Sequence, residues 1–434
     1  MKKRVLVSIA AVAASVLVLS GCAPSGGGGS EKTLNLLMVQ SPSTTRLKTL
    51  VPEFTKETGI KVNVDLVPQA GMQAKYNVSL GSGAGQYDVV EAVSTNLSQL
   101  TASKWIKPLN SYLDDKSQTP SSYTSGFKGG VLDSLAIDGK TYTIPFEVGA
   151  DMLYYNKDMF TAAGLDPDNP PTTLTEVLSA AKKLNKPEIG QAGFLARGTR
   201  QGNENSFSWI MMWLLNGGRW EDAKGKPKYD VLDEEAARKT TDQYATLMTK
   251  YAPSGVGNYG FVEDQAAMQQ GKAAMWLDGA TLGPSLEDKS ASKIAGHVGY
   301  AALKGEGGNY IAGAVSGLSV VDTTKNDKEA WQLVQYLTSK KVGIDQALAG
   351  VGGTPGRTDV LTDPGVQKLY DPAYLAALSE SIKHVNPEYS PVIPQGTEIR
   401  GAISVALSKI LSGQASNEAA MNEANQEILK ILKK

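Results

Sequence analysis

Residues 33–67 read TLNLLMVQSPSTTRLKTLVPEFTKETGIKVNVDLV, and the order of patterns in this stretch decides the fold class. Thr33 to Val39 is a nearly continuous apolar run of strand length. A polar turn follows, and then Leu47, Leu50, Val51 and Phe54 recur at helical spacing until Gly59. Ile60, Val62, Val64 and Leu66 then alternate with polar residues. Strand, helix and strand in this order are the unit of a sheet with crossover helices.

The pattern continues outward. Ala70 to Leu80 predicts a helix, Asp88 to Ala92 a strand, and Asn96 to Ser103 a short helix before Trp105. Between Asp138 and Tyr155 the character changes. Asp138-Gly139-Lys140 is a hairpin-type turn, and the residues after it are rich in β-branched and aromatic types. A first crossing between two lobes is expected here. Beyond it, Thr173-Leu174-Thr175-Glu176 has capping-box spacing, and Leu174, Val177, Leu178, Ala181 and Leu184 share one helical face. Helices are expected at 207–215, 233–251 and 263–270, strands at 273–277, 298–302 and 318–321, and a helix around Ala330, Trp331, Val334 and Leu337. The tail predicts helices at 396–411 and 417–432, with Lys430, Lys433 and Lys434 placed to complement a helix dipole.

The start of the chain reads differently. Lys2, Lys3 and Arg4 precede an apolar run from Val5 to Leu19, which is shorter than the about 20 residues that span a bilayer. This is the pattern of a secretory signal over residues 1–21. Leu19-Ser20-Gly21-Cys22 resembles a bacterial lipobox, in which the cysteine takes acyl chains after cleavage. Cys22 is the sole cysteine, so no internal disulfide can form. Each buried acyl methylene contributes about 0.8 kcal/mol, enough in sum for a membrane anchor. Residues 22–30, with Gly26 to Gly29, read as a lipidated and flexible tether.

The whole chain of 434 residues is 41% apolar and 20% charged, which suits two packed cores rather than disorder. Removing the three basic leader residues takes the net charge from −1 to −4, and no basic face for nucleic acid is visible. Two histidines, His297 and His384, offer little for a metal site, and no cofactor is expected. The chain has no phosphate loop, Rossmann glycine pattern or Gly-x-Ser-x-Gly elbow.

The run Asp138-Gly139-Lys140-Thr141-Tyr142-Thr143-Ile144-Pro145, then Leu153-Tyr154-Tyr155-Asn156-Lys157-Asp158-Met159-Phe160 and Ala163-Gly164-Leu165, resembles the extracellular solute-binding family that includes maltose-binding protein. Tyr87-Asp88-Val89-Val90, Leu97 to Leu109, Gly271-Lys272-Ala273-Ala274-Met275-Trp276, Ala330-Trp331 and Pro355-Gly356-Arg357 match in the same order. The resemblance therefore covers nearly the whole chain after the leader. It implies a two-lobed α/β periplasmic-binding-protein-like fold of type II, each lobe a β-sheet flanked by helices, joined by a hinge. The expected division is 31–145 with 298–344 in an N-terminal lobe, and 146–297 with 345–434 in a C-terminal lobe. Arg197-Gly198, Glu204-Asn205, Gly260-Phe261, Met275-Trp276-Leu277-Asp278 and residues 293–300 look closest to a polyol-binding branch. The chain departs from that branch at Gly149, where the branch carries a carboxylate, with Glu147 and Asp151 on either side.

A site for polyhydroxy ligands needs planar polar groups, which donate to and accept from hydroxyls, and an aromatic platform for C–H faces. Trp276 and Asp278, two apart on an extended segment, point to the same side and pair these roles; the alternative is a core tryptophan and a helix-capping aspartate. Arg197, Glu204 and Asn205 share a Gly-rich loop before a helix and suit a cleft rim, or else a solvated loop with Asn205 as N-cap. Glu147 and Asp151 follow the first crossing, and alternation puts them on the same side of a continuing strand, facing either the cleft or solvent. Glu91 and Gln40 end strands, where open α/β sheets bind ligands. Arg357 lies in a Gly-rich turn. Tyr154 and Tyr155 alternate, so one at most faces the cleft, and Met211 and Met212 suit the core.

The expected function is that of a lipid-anchored receptor, a monomer on the extracytoplasmic face of the cell membrane. It captures a sugar, sugar alcohol or short oligosaccharide and delivers it by hinge closure to the membrane subunits of an ABC permease. A peptide, polyamine or anion receptor of the same fold is the first alternative. A glycoside hydrolase using Glu147 and Asp151 is the second.

Overall fold

The computed structural model describes residues 32–127, 131–222, 224, 226–305, 311–350, 354–386, 391, 393 and 395–433. The leader, Cys22 and the tether lie outside the described residues.

The chain begins with the expected unit: strand β1 (Thr33–Val39), helix α1 (Pro42–Thr58) and strand β2 (Lys61–Val67). Ser41 caps α1 by accepting from the Thr44 N–H, Pro42 sits in the first turn, and Gly59 closes the helix at φ 75°. Each device is local, which is why the helix limits are readable. Helix α2 (Gln69–Ser79) and strand β3 (Val89–Val93) follow. The Asp138-Gly139 turn forms a two-residue hairpin with both residues at positive φ, 49° and 70°. Strand β4 (Ile144–Val148) then leads into β5 (Asp151–Asn156).

Next come α3 (Leu174–Leu184), held by the expected capping box, α4 (Glu204–Leu215), α5 (Glu235–Thr246) with a π-helical turn after it, α6 (Phe261–Gln269), and strands β6 (Met275–Gly279) and β7 (Val298–Ala301). The chain continues through β8 (Val315–Val320), α7 (Asp327–Leu337) and the short β9 (Thr354–Pro355). It ends with α8 (Pro372–Lys383), α9 (Gly396–Leu411) and α10 (Asn417–Ile431).

One sheet has the order β9-β4-β8-β3-β1-β2, with β1 parallel to β2 and β3, and with β8 antiparallel to its neighbours β3 and β4. Leu34, Leu36 and Met38 pack with α1 and α7, whereas Leu37 and Val39 pack with Met72 and Tyr76 of α2. Both faces of β1 are thus covered, as its unbroken apolar run requires. The second sheet, β6-β5-β7, is antiparallel. Leu153, Tyr155 and Leu277 join the core of α3, α4, α5, α9 and α10. Met152, Tyr154 and Trp276 face the other side, toward Tyr374 and Leu378 of α8. This is the two-lobed, type II periplasmic-binding-protein-like architecture.

Strand pairing moves three expected borders. β4 stays in the first sheet through Val148, beyond residue 145. β7, expected with the first sheet, pairs with β5 from Leu153↔Ala301 to Asn156↔Val298. β9, expected with the second lobe, pairs with β4. Only Gly149 and Ala150 separate the two sheets along the first crossing. There the Gly149 N–H donates to the Ala314 oxygen at 2.6 Å, and a Cβ on Gly313 would lie 1.8 Å from the Gly149 oxygen. The two crossing strands touch backbone to backbone, which explains glycine at 313 and the lack of a side chain at 149.

Candidate functional site

The site is built on a register. The segment before Arg197 runs parallel to β6, with Leu195 bridged to Trp276 through the Leu195 N–H to the Met275 oxygen at 2.8 Å. Two residues further on each segment are Arg197 and Asp278, so the pairing sets them side by side. The Arg197 Nε donates to both Asp278 oxygens, at 2.9 and 3.2 Å, and Nη2 donates to Oδ1 at 2.6 Å. The Gly279 N–H donates to the same Oδ1 at 2.7 Å. Asp278 has no exposed surface. Burial works against the Arg197 charge, but Asp278, with Glu204 and Asp151 behind it, outweighs burial and holds the guanidinium above the ordinary arginine value.

Around this fork stand more acids. Glu204, at the start of α4, lies 3.6 Å from Arg197 Nη1 and accepts from the Phe261 N–H at 3.1 Å. Asp151 is buried, and its Oδ2 has no hydrogen-bond partner. Burial and the neighbouring Asp278 charge push it well above the usual carboxylate range, against the pull of Arg197. Sequence reasoning missed Asp264 on α6, which is also buried with both oxygens unpaired and pushed up to about 8 by burial and then by Asp278. It also missed that Phe207 and Phe261 flank Arg197, their ring centres 4.5 and 5.2 Å from its guanidinium carbon. The Gly260-Phe261 pair was the one available signal.

The first sheet carries the remaining candidates. Glu91 accepts from the Val39 N–H at 2.8 Å, where β1 and β3 end side by side. Because β2 and β3 lie on opposite sides of β1, this is the switch point at which open sheets bind ligands. Burial pushes Glu91 up to about 7; Val39 and Ser316 oppose this, and the Glu147 charge adds to it. Glu147 is half-buried on β4, one side of the Gly149-Ala150 crossing, and Asp151 stands on the other. Gln40 is exposed at the end of β1, bordering an open depression with Ser41, Arg46 and Pro68.

Three expected residues are engaged elsewhere. Asn205 is fully buried: its amide donates to the Ser404 oxygen at 3.0 Å and Ser408 Oγ at 3.2 Å and accepts from the Ser404 hydroxyl. It staples α4 to α9. Arg357 forks onto Asp359 at 3.0 and 2.8 Å and donates to the Tyr123 oxygen at 2.9 Å, buried over Phe127. Trp276 has no exposed surface and packs on Tyr154 at 5.2 Å, with its Nε1 unpaired. Among the described residues, no group of three or more His, Cys, Asp or Glu side chains is arranged to hold a metal ion.

Two α/β lobes joined by short crossings, with buried carboxylates and one forked arginine beside the hinge, define a solute receptor. The chain belongs to the bacterial extracellular solute-binding protein family, whose model matches residues 41–344. Membership places it outside the cytoplasm, among transport proteins. It is 27% identical to the mannitol-binding protein of Pseudomonas aeruginosa, over 93% of this chain and 94% of that one. It is 25% identical to an erythritol/L-threitol-binding protein of Mycolicibacterium smegmatis, over 84% of this chain and 80% of that one. A solved ABC transporter solute-binding protein of Agrobacterium radiobacter in complex with ribitol superposes with a TM-score of 0.75 at 27% identity, covering 91% of this chain and 98% of that one.

Proposed function

We propose that the protein is the receptor of an ABC importer for a linear polyol or a small sugar, which it binds without chemical conversion. The observation that carries this reading is the buried Arg197–Asp278 fork beside Asp151, whose Oδ2 has no hydrogen-bond partner, directly after the hinge. Hydroxyls both donate and accept, so a polyol answers a fixed guanidinium and neighbouring carboxyls together. Acids outnumber the one arginine here, which disfavours an anion. The mannitol, erythritol and ribitol named for the relatives support the ligand class.

In this reading Glu91 and Glu147 approach the ligand from one lobe and Asp151, Arg197 and Asp278 from the other. Contacts on both sides favour the closed state. The lobes divide at Gly149-Ala150, at Gly313-Ala314 and after Thr354–Pro355, following strand pairing. Cys22 carries the lipid anchor, and the working unit is one chain on the outer face of the membrane. Failure of palmitate to label the protein, or a light-scattering mass above one chain, would argue against those two points.

The test is a thermal-shift panel on the purified protein with D-mannitol, ribitol, erythritol, maltose, spermidine and a tripeptide. A ligand that binds only the native state raises the melting temperature by mass action. A shift with polyols or sugars, lost in R197M, is expected; a shift confined to spermidine or the peptide overturns the reading.

A further inference from the structure

Helix α6 enters the site by its first turn. Its N-cap, Gly260, is confined, since a Cβ there would lie 2.9 Å from Glu204 Oε2. The N–H groups of residues 260 and 261 donate to Glu263 and Glu204, at 2.9 and 3.1 Å. The helix start is thereby locked against α4, and α6 packs on β6, the strand that carries Asp278. Phe261 lies beside the Arg197 guanidinium, its ring centre 5.2 Å from the guanidinium carbon, yet stays 38% exposed, so part of this aromatic side chain remains uncovered. Asp264, three residues on and so on the same side of the helix, has no exposed surface and neither oxygen paired.

Buried carboxyls in native proteins are almost always hydrogen-bonded, and one left unpaired costs stability. Asp264 also sits among charge. Asp278 on β6, Arg197, Glu204 on α4 and Glu263 on its own helix all act on it, and it acts on the buried Tyr244 of α5. Tyr244 spends its hydroxyl on the Arg197 backbone oxygen, at 3.2 Å. Asp278 is satisfied by Arg197 and Glu204 by Phe261, which leaves Asp264 as the carboxyl of this group still lacking a partner.

We propose that the first turn of α6 is the specificity face of the site, where Phe261 packs on the C–H face of the ligand and the Asp264 carboxyl meets one ligand hydroxyl. This rests on the polyol or sugar reading. Asp264 at about 8 is largely protonated at neutral pH and can then donate as well as accept, which suits a hydroxyl. A ligand with a methylene at that carbon leaves the carboxyl unpaired and is disfavoured. The position therefore discriminates between polyols that differ by one hydroxyl.

The experiment compares wild type with D264L, F261A and I189A, the last an exposed residue outside α6 and outside the site, by thermal unfolding and calorimetric titration at pH 7 with D-mannitol, ribitol and maltose. In the unliganded protein, D264L is expected to melt at or above wild type, because an unpaired buried carboxyl has been removed. Its affinity for the bound polyol or sugar is expected to fall about tenfold or more, that of F261A about threefold, and I189A to bind as wild type does. A D264L protein that melts far below wild type or binds as tightly overturns the assignment. If wild type binds none of the three but shifts with spermidine or a peptide, the polyol reading fails alone. The same D264L comparison with that ligand then decides α6: weakened binding keeps it as a site face, and unchanged binding removes it.

Discussion

Removing the Asp278 carboxylate tests whether the fork is a coupled unit. In D278A the Arg197 guanidinium loses three hydrogen bonds of 2.6 to 3.2 Å, while its side chain retains only 18% exposure. Breaking a buried pair from one side costs about 3–5 kcal/mol, because the remaining charge is left uncompensated. Glu204, already 3.6 Å away, can take up part of that charge, so the lower figure applies. With a sensitivity of about 2–4 °C per kcal/mol, the melting point should fall by about 6–12 °C. The double variant R197M/D278L removes both charges and fills similar space, and should lie within about 1 kcal/mol of wild type. Urea unfolding followed by circular dichroism, for both single variants and the double, gives the cycle. Additive losses, or a D278A cost under about 1 kcal/mol, would refute the claim that the two side chains are buried as one ion pair.

Two further outcomes follow from the hinge and from the buried acids. A G313A variant must displace the Gly149 carbonyl, which a Cβ would approach to 1.8 Å, and should lose about 3 kcal/mol; G149A, whose Cβ would lie 3.0 Å from the Ala314 oxygen, should lose about 1 kcal/mol. Thermal melts that reverse this order would show that the crossing strands are not in contact as described. The acid limb concerns Glu91 at about 7 and Asp264 at about 8, both raised above their ordinary values of 4.5 and 3.8. The folded protein keeps protons that the unfolded chain has released, so these groups cost nothing below about pH 4 and their full penalty above about pH 8. Stability should therefore decline from pH 5 to 8, with a shallower slope in E91Q and in D264N; a rise over that window would contradict the sign.

Residues whose partners are near in sequence were readable, and the others were not. The cap of α1, the Asp138-Gly139 turn and the Thr173 capping box are each complete within a few residues, so composition and spacing placed them. Lobe borders depend on which strand pairs with which. Val298–Ala301 is a plain buried strand, and nothing within it says that its partner is β5 rather than a strand of the first sheet. The site divides in the same way. Alternation put Trp276 and Asp278 on one face, correctly, but their tasks differ because Tyr154 meets the first and Arg197 the second. Asn205 has the side chain of a ligand-binding residue, yet it is engaged 199 positions away at Ser404; Arg357 is held both by its near neighbour Asp359 and by the distant Tyr123 oxygen, and only the second lay beyond local reading. Asp264 is the converse: an acid on an ordinary helix, conspicuous only because no distant atom reaches it. Residue type nominates a candidate for binding, and the hydrogen-bonding capacity left unspent after folding narrows the nominations; that remainder depends on the register between β6 and the segment that ends in Arg197 and on how α6 packs on β6.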